Sequence, residues 1–296
     1  YLQLINRKTV EMLISSDSVN RLAEYVENRD EVFCSGLFLS ARWMIVSQLD
    51  HIGIQMIILP DRDSAEYCAA DLYHLIEGDR VYFLPDSGKN LERSNYKSSL
   101  GVQRTSAIGK ILEYREGEQM IVVTYPSALE EIIPEKGKIS GSLLKLVVGE
   151  ERSYEEIKDI LFSSGFERVD FVSEPGQFAV RGALIDIFSY SFNNPFRISF
   201  FGDEIESINI FDANTQLSKE KVEYVDIYPD LFVSDETGES GVLLPEILPA
   251  ETLFWLDSSD MYKEKDFYLL LERFSRIFME VPLSRQNEET VKFNIA

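Results

Sequence analysis

The sequence predicts an α/β fold: a parallel-sheet, P-loop-like domain whose phosphate loop is degenerate, interrupted by an inserted α+β domain. Three observations predict it. Up to residue 142, short apolar runs alternate with amphipathic ones, the pattern of βα units in a sheet covered on both faces. From about residue 143 the texture changes to one helix followed by a meander of strands. A buried-type strand, TLFWLD (252–257), then reappears near the end. The expected organisation is residues 1–142 as the first part of the α/β domain, 143–223 as the insertion, and 224–296 as a return segment completing the first domain.

The elements follow in order. VNRLAEYVEN (19–28) reads as a helix capped by Asp17 or Ser18. Strand-like runs are VFCSG (32–36), IQMIILP (54–60), VYFLP (81–85) and MIVVTY (120–125), with helices expected at 40–52, 63–77 and 101–115. The helix at 63 opens with Asp63-Ser64-Ala65-Glu66, an acidic turn suited to the positive end of the helix dipole. LLKLVVG (143–149) is a strand, and SYEEIKDILFSSG (153–165) is a helix with a capping box at Ser153 and Glu156 and a stop at Gly165. The strands ERVDFV, QFAVRG, ALIDIF, FRISFF and ESINIF come next. YLLLERFSRIFMEV (268–281) reads as an amphipathic helix.

The hairpin PFRISFFGDEIESINIFD (195–212) has an unusual outer row. Strand alternation sends Phe196, Ile198 and Phe200 one way and Arg197, Ser199 and Phe201 the other. Gly202-Asp203 supplies the turn. A parity break between Ile205 and the pair Ile208 and Ile210 calls for a bulge near Glu206-Ser207. Arginine and aromatic side chains carry interface energy, often ~2 kcal/mol or more on truncation. Arg197 and Phe201 would project from one face about 13 Å apart, at ~3.3 Å per residue. Two alternatives stay open: Phe201 capping the hairpin core, and Arg197 pairing with Glu206 across the strands.

Composition narrows the function classes. The 296 residues include 51 acidic and 29 basic ones, for a formal charge of −22. That excludes a surface-wide nucleic-acid platform, which needs a basic stripe, and is compatible with a basic protein partner or with ordinary acidity. Cys34 and Cys68 sit inside apolar runs and read as core residues of a reducing compartment. His51 and His74 have no metal or triad spacing, so neither a metal site nor a catalytic site is expected. No run reaches the length of a membrane span. The chain begins Tyr-Leu-Gln and ends Asn-Ile-Ala, which reads as a fragment of a longer protein.

A phosphate loop would follow the first parallel strand. Counting the Walker pattern from Gly36 puts Ala41, Arg42 and Trp43 where glycine, lysine and serine or threonine are needed. Nucleotide is not expected to bind there, and no cofactor is expected in this chain. Asp257, at the end of TLFWLD, occupies the place of a magnesium-holding aspartate, but alone it reads as a cap or turn residue.

Three motifs in order, LKLVVGEERSYEEIKDILFSSGFERV, GQFAVRGALIDIF and FRISFFGDEIESINIFD, resemble the UvrB-homology module. That module occurs in the excision-repair subunit UvrB and at the amino terminus of the transcription-repair coupling factors (Mfd). The match is tightest over about 143–228 and looser through RTSAIGKILEY, MIVVTYPSALEEIIP and LPAETLFWLDSSDMY. Two departures favour the coupling-factor branch. The phosphate loop is lost, and only Asp86 to Leu100, with one tyrosine, Tyr96, fills the place of the long aromatic hairpin with which UvrB grips damaged DNA.

The resemblance implies a non-catalytic interaction module that recruits UvrA to stalled transcription in nucleotide excision repair. It implies Arg181, Arg197 and Phe201 as UvrA-binding residues, with Arg168 a weaker candidate. Ala179 and Ser199 depart from UvrB, which has an arginine and an acidic residue there. It further implies a bacterial cytoplasmic setting, masking by the carboxy-terminal part of the full-length protein, and no direct nucleic-acid or membrane contact. The full-length protein would be an ATP-dependent DNA translocase. The rival reading is a UvrB-like, ATP-dependent helicase domain that handles damaged DNA.

Overall fold

The structure is a computed structural model of the 296-residue chain. It describes residues 16–27, 31–36, 41–49, 52–76, 78–88, 95–134, 143–192, 194–229, 231, 241–257, 262–280 and 290–292. Positions 37–40 of the loop region and His51 lie outside the described residues.

In chain order the strands begin with β1 (Glu31–Ser35), β2 (Ile54–Ile58), β3 (Val81–Phe83), β4 (Met120–Thr124), β5 (Ile133–Pro134) and β6 (Leu144–Val147). The meander follows as β7 (Glu167–Arg168), β8 (Gln177–Arg181), β9 (Leu184–Phe188), β10 (Phe196–Phe201), β11 (Glu204–Phe211), β12 (Ser218–Val222) and β13 (Tyr224–Ile227). The remainder are β14 (Gly241–Val242), β15 (Leu253–Leu256), β16 (Ser275–Phe278) and β17 (Thr290–Lys292).

The chain divides into two compact units. One comprises Tyr1–Asp86, Tyr114–Ile132 and Leu243–Ala296; the other comprises Ser87–Glu113 and Ile133–Val242. The segment 143–223 lies wholly within the second unit, whose borders reach further along the chain on both sides.

The first unit is built on a seven-stranded parallel sheet in the order β17-β1-β16-β15-β2-β4-β3. Strands β2, β4, β15 and β16 are buried along their whole length. This is why β2, β4 and β15 read as nearly continuous apolar runs and not as alternating ones, whereas β16, SRIF, buries a serine and an arginine as well. Polar pairs are held in the interior: Trp255 Nε1 donates to Gln55 Oε1 at 2.9 Å, and Gln55 Nε2 donates to the Leu49 carbonyl at 2.9 Å. A buried amide and indole would each cost free energy if unpaired, and here they satisfy one another. Asp61 caps the Arg62–Leu75 helix by accepting from the Ser64 amide at 2.8 Å.

One sequence expectation fails in this unit. The run 268–281 does not form a single helix: a short helix, Asp266–Leu270, and a 3-10 turn lead into β16, which lies between β1 and β15. β16, Ser275-Arg276-Ile277-Phe278, is buried along its length but only half apolar, and a window of four residues carries too little periodicity to separate a strand from a helix. The backbone of β1 and β15 supplies what the sequence window does not show.

The second unit centres on a six-stranded sheet in the order β12-β11-β10-β9-β8-β7, antiparallel except for the β7–β8 pair. Its inner face packs against the Tyr154–Ser163 helix and the β6–β13 pair, through Ile157, Leu161, Phe178, Ile185, Ile198 and Leu146. The helix is delimited as its sequence dictates. Ser153 Oγ accepts from the Glu156 amide at 3.4 Å. At the other end the Phe166 amide donates to the Leu161 carbonyl at 3.0 Å and Gly165 takes φ 82°. That pattern is a Schellman stop, which needs a residue free to adopt a left-handed conformation.

Ile198 is wholly buried at the centre of this core. Ile198→Ala is expected to lower unfolding free energy by about 2–5 kcal/mol through lost burial and the residual cavity. Chemical denaturation followed by circular dichroism checks this.

Candidate partner-binding face

The outer face of the six-stranded sheet is set by the β10–β11 hairpin. Burial alternates strictly along β10, with Phe196, Ile198 and Phe200 buried and Arg197, Ser199 and Phe201 turned outward. The turn is Gly202-Asp203, with Gly202 at φ 64°, between the paired residues Phe201 and Glu204. Pairing jumps from Ser199↔Ser207 to Phe200↔Ile205, leaving Glu206 as the extra residue, where the parity break in the sequence puts a bulge. The bulged end of β11 is held from its far side: the Gly149 amide donates to the Ile205 carbonyl at 2.8 Å, and the Ile205 amide donates to the Glu150 carbonyl at 3.0 Å.

Phe201 is 78% exposed. It caps no core, so that alternative is removed. Arg197 does not pair with Glu206 either. It stands opposite Asp186 of β9, which is fully buried. Its Nε donates to Asp186 Oδ1 at 2.7 Å and its Nη2 to Asp186 Oδ2 at 2.9 Å, a bidentate fork. Arg181, at the end of β8, donates from Nη2 to the same Oδ2. One buried carboxylate therefore collects two guanidinium groups from the strands on either side.

The two arginines are not equivalent. Arg197 is 19% exposed, lies 4.4 Å over the Phe211 ring, and also donates to the Gln216 carbonyl and side-chain oxygen at 3.4 and 3.3 Å. Donating to Asp186 raises its pKa above the ordinary guanidinium value, against the opposing effect of burial. Arg181 is 36% exposed and stacks 4.9 Å over Phe171, itself 62% exposed. Arg168 is not part of this group. It pairs with Phe178 in β7–β8 register and is exposed, close enough to Tyr154 of the inner-face helix to act on its phenol electrostatically.

The turn 212–217 covers Arg197. Asp212 Oδ1 accepts from the amides of Asn214 at 3.0 Å and Thr215 at 2.9 Å, and its other oxygen takes Lys219 at 2.9 Å. Gln216 sits at φ 60°, a strained position for a non-glycine residue, and its side chain donates to the Ala213 and Val172 carbonyls at 2.8 and 3.4 Å. A small second core of Val172, Ala179, Phe188 and Phe211 lies beneath. Ala179 is buried there in register with Asp186, while Ser199 is half-buried beside Leu184.

In the other unit, the structure puts Arg42 and the strand-end Asp257 together. Arg42 donates from Nη1 to Asp257 Oδ1 and from Nη2 to Glu280 Oε1 at 3.2 Å. Trp43 is buried in the sheet core, Gly36 takes φ 84°, and the backbone of Ala41 opens the Ala41–Gln48 helix. Arg42 and Asp257 thus form an ion pair.

Sequence reasoning missed Asp186, Phe171 and Gln216. The signal for Asp186 was present: an acid at an outward position of ALIDIF, between two strands that each carry an outward arginine. It becomes visible only once the strand register is known.

The structure is thus an α/β scaffold that carries a second, mostly antiparallel sheet with this outer face. Comparison with known proteins gives the particular kind. Residues 144–231 match the family described as the UvrB interaction domain. The chain is similar to the transcription-repair-coupling factor of Bacillus subtilis, 30% identical over 206 residues, covering 69% of this chain and 17% of that protein. The factor of Escherichia coli is 33% identical over 110 residues, 37% of this chain and 10% of its own length. That of Mycobacterium bovis is 27% identical over 216 residues, 71% and 17%. Residues 144–231 thus resemble a UvrB interaction domain, and the chain as a whole is similar to transcription-repair-coupling factors while spanning only a small part of their length.

Two outcomes are expected from this geometry. Asp186→Ala leaves two part-buried guanidinium groups uncompensated and should cost about 2–4 kcal/mol of stability, the full buried-pair penalty being reduced by the exposure of Arg181. Differential unfolding of parent and variant measures it. The Asp212 carboxyl is held down to about 2 by the Thr215 amide and Lys219. Because the folded value lies below the ordinary one, its contribution is present above the ordinary carboxylate range and is lost as pH falls toward 2. Amide exchange at Thr215, compared between pH 5 and pH 2 with intrinsic rates removed, should lose protection in the acid range.

Proposed function

We propose that this chain is a protein-interaction module that serves transcription-repair coupling and nucleotide excision repair by recruiting UvrA. The observation that carries the proposal is the outer face itself. A large bare aromatic, Phe201, and a half-exposed arginine, Arg181, sit on a rigid sheet within the segment that matches the UvrB interaction domain. Rigid placement limits the entropy lost on binding, and arginine and aromatic side chains are the residue types that dominate interface energy. Arg181, Arg197 and Phe201 form the binding set, and Arg168, turned toward the opposite face, is peripheral.

The module works without catalysis and without a nucleotide of its own. The Arg42–Asp257 ion pair supports this, because phosphate taken up by Arg42 would compete with Asp257 for the same guanidinium. The setting proposed with it is a bacterial cytoplasmic repair protein whose other parts drive translocation on DNA and mask this face until it is needed. The module itself makes no nucleic-acid or membrane contact; no described helix is long and apolar enough to cross a membrane.

Capture of UvrA from the same organism tests the proposal. Arg181→Ala, Arg197→Ala and Phe201→Ala are each expected to weaken capture roughly tenfold or more. Phe201→Ala should leave the melting temperature unchanged, since the ring is exposed, whereas Arg197→Ala should lower it through Asp186. Three variants that bind like the parent would show the face to be wrongly chosen. Micromolar ATP binding by the parent chain would instead favour the UvrB-like ATPase.

A further inference from the structure

Arg181 presents an unfinished hydrogen-bond set. Its Nη2 is taken by Asp186, while among the described residues no partner engages its Nε or Nη1. Nη2 belongs to both forked edges of a guanidinium and carries two hydrogens, so a group held by one of them keeps a second edge, with the other Nη2 hydrogen, for a carboxylate in a bidentate pair. Its flat face lies against the Phe171 ring at 4.9 Å. Phe171 follows β7 and precedes Val172, which is anchored in the small outer core, while Phe171 itself is 62% exposed.

The same end of the sheet carries the second bare ring. The Phe200 amide donates to the Ala183 carbonyl at 2.9 Å, so the β8–β9 turn lies beside the end of β10, and Gly182 and Ala183 are exposed there. Phe171, Arg181 and Phe201 therefore share one face and one end of the sheet. Local charge is favourable as well: two guanidinium groups face one buried carboxylate on a chain whose overall charge is −22. An acidic group flanked by apolar side chains on the partner would be drawn to this spot and not to the rest of the surface.

We propose that Phe171 is a further contact residue of the partner-binding face, acting as one unit with Arg181, and that Asp186 is the positioning residue that aims this unit. The partner element is a carboxylate flanked by apolar side chains on UvrA. The proposal rests on the UvrA reading above. Asp186 touches no partner; it holds Arg181 by one corner so that the guanidinium stays on the ring with its free edge outward. Ordering the arginine before binding removes an entropy loss that a free side chain would incur on association.

The test is a calorimetric titration of the intact chain with UvrA, joined to a measurement that needs no partner. Phe171→Ala should weaken binding about tenfold with an unchanged melt. Phe171→Leu, which keeps an apolar group but removes the ring face, should recover less than half of that loss on a logarithmic scale. In an Arg181→Ala background, Phe171→Ala should cost at most about twofold more, because residues acting as a unit are non-additive. An unchanged Phe171→Ala affinity, or full additivity with Arg181→Ala, overturns the contact role.

The partner-free measurement is side-chain NMR of the Arg181 Nε–Hε group. The parent should show a restrained signal, and Asp186→Asn or Phe171→Ala should release it. A restrained signal that persists in both variants overturns the positioning role, as does a mobile signal in the parent. The parent measurement alone decides if Asp186→Asn does not fold. A parent chain that fails to bind UvrA overturns the partner reading and with it the contact role, while the NMR comparison still judges whether Asp186 and Phe171 hold Arg181.

Discussion

One buried carboxylate organises the outer face of the second unit. Asp186 is fully buried in β9 and accepts from guanidinium groups on β8 and β10. A carboxylate taken from water costs several kcal/mol in real proteins, and only close, hydrogen-bonded cations offset that. The constraint runs both ways. Asp186 is tolerable because two arginines flank it, and the arginines are ordered because Asp186 fixes them. A sheet surface that would otherwise carry two long, mobile cations carries instead a fixed guanidinium pair with a ring on either side.

The rest of the hairpin geometry serves that arrangement. The bulge at Glu206 keeps Phe200 paired with Ile205 inside the core while Phe201 turns outward at the tip. The 212–217 turn, strained at Gln216, lies over Arg197 and leaves Arg181 at the more open end. Strain at a non-glycine residue persists only where the surroundings over-determine it, and here Gln216 is held by bonds to Ala213 and Val172 while it accepts from Arg197. The consequence is a face with a covered side and an exposed side.

Much of this was legible in the sequence and some was not. Alternation along FRISFF fixed which residues face outward, because a strand has a period of two and tolerates no drift. The parity break located the bulge for the same reason. The capping serine and the stop glycine of the 154–163 helix were equally direct. Two things escaped. β16 was hidden in a run that suits a helix as well as a buried strand, since only its neighbours decide between them. The partners of Arg197 and Arg42 were hidden because Asp186 and Asp257 lie 11 and 215 residues away, and only the strand register brings them close. Outward direction is a local property; ion pairing is not.

Amide hydrogen–deuterium exchange of this chain with and without UvrA tests the central claim most directly. The account predicts added protection at the two hairpin ends, around Arg181–Leu184 and Phe201–Glu204, and at the Phe171 segment, with little change in the parallel sheet of the first unit. Protection that appears at the Ala41–Gln48 helix instead, with both hairpin ends unchanged, would contradict it.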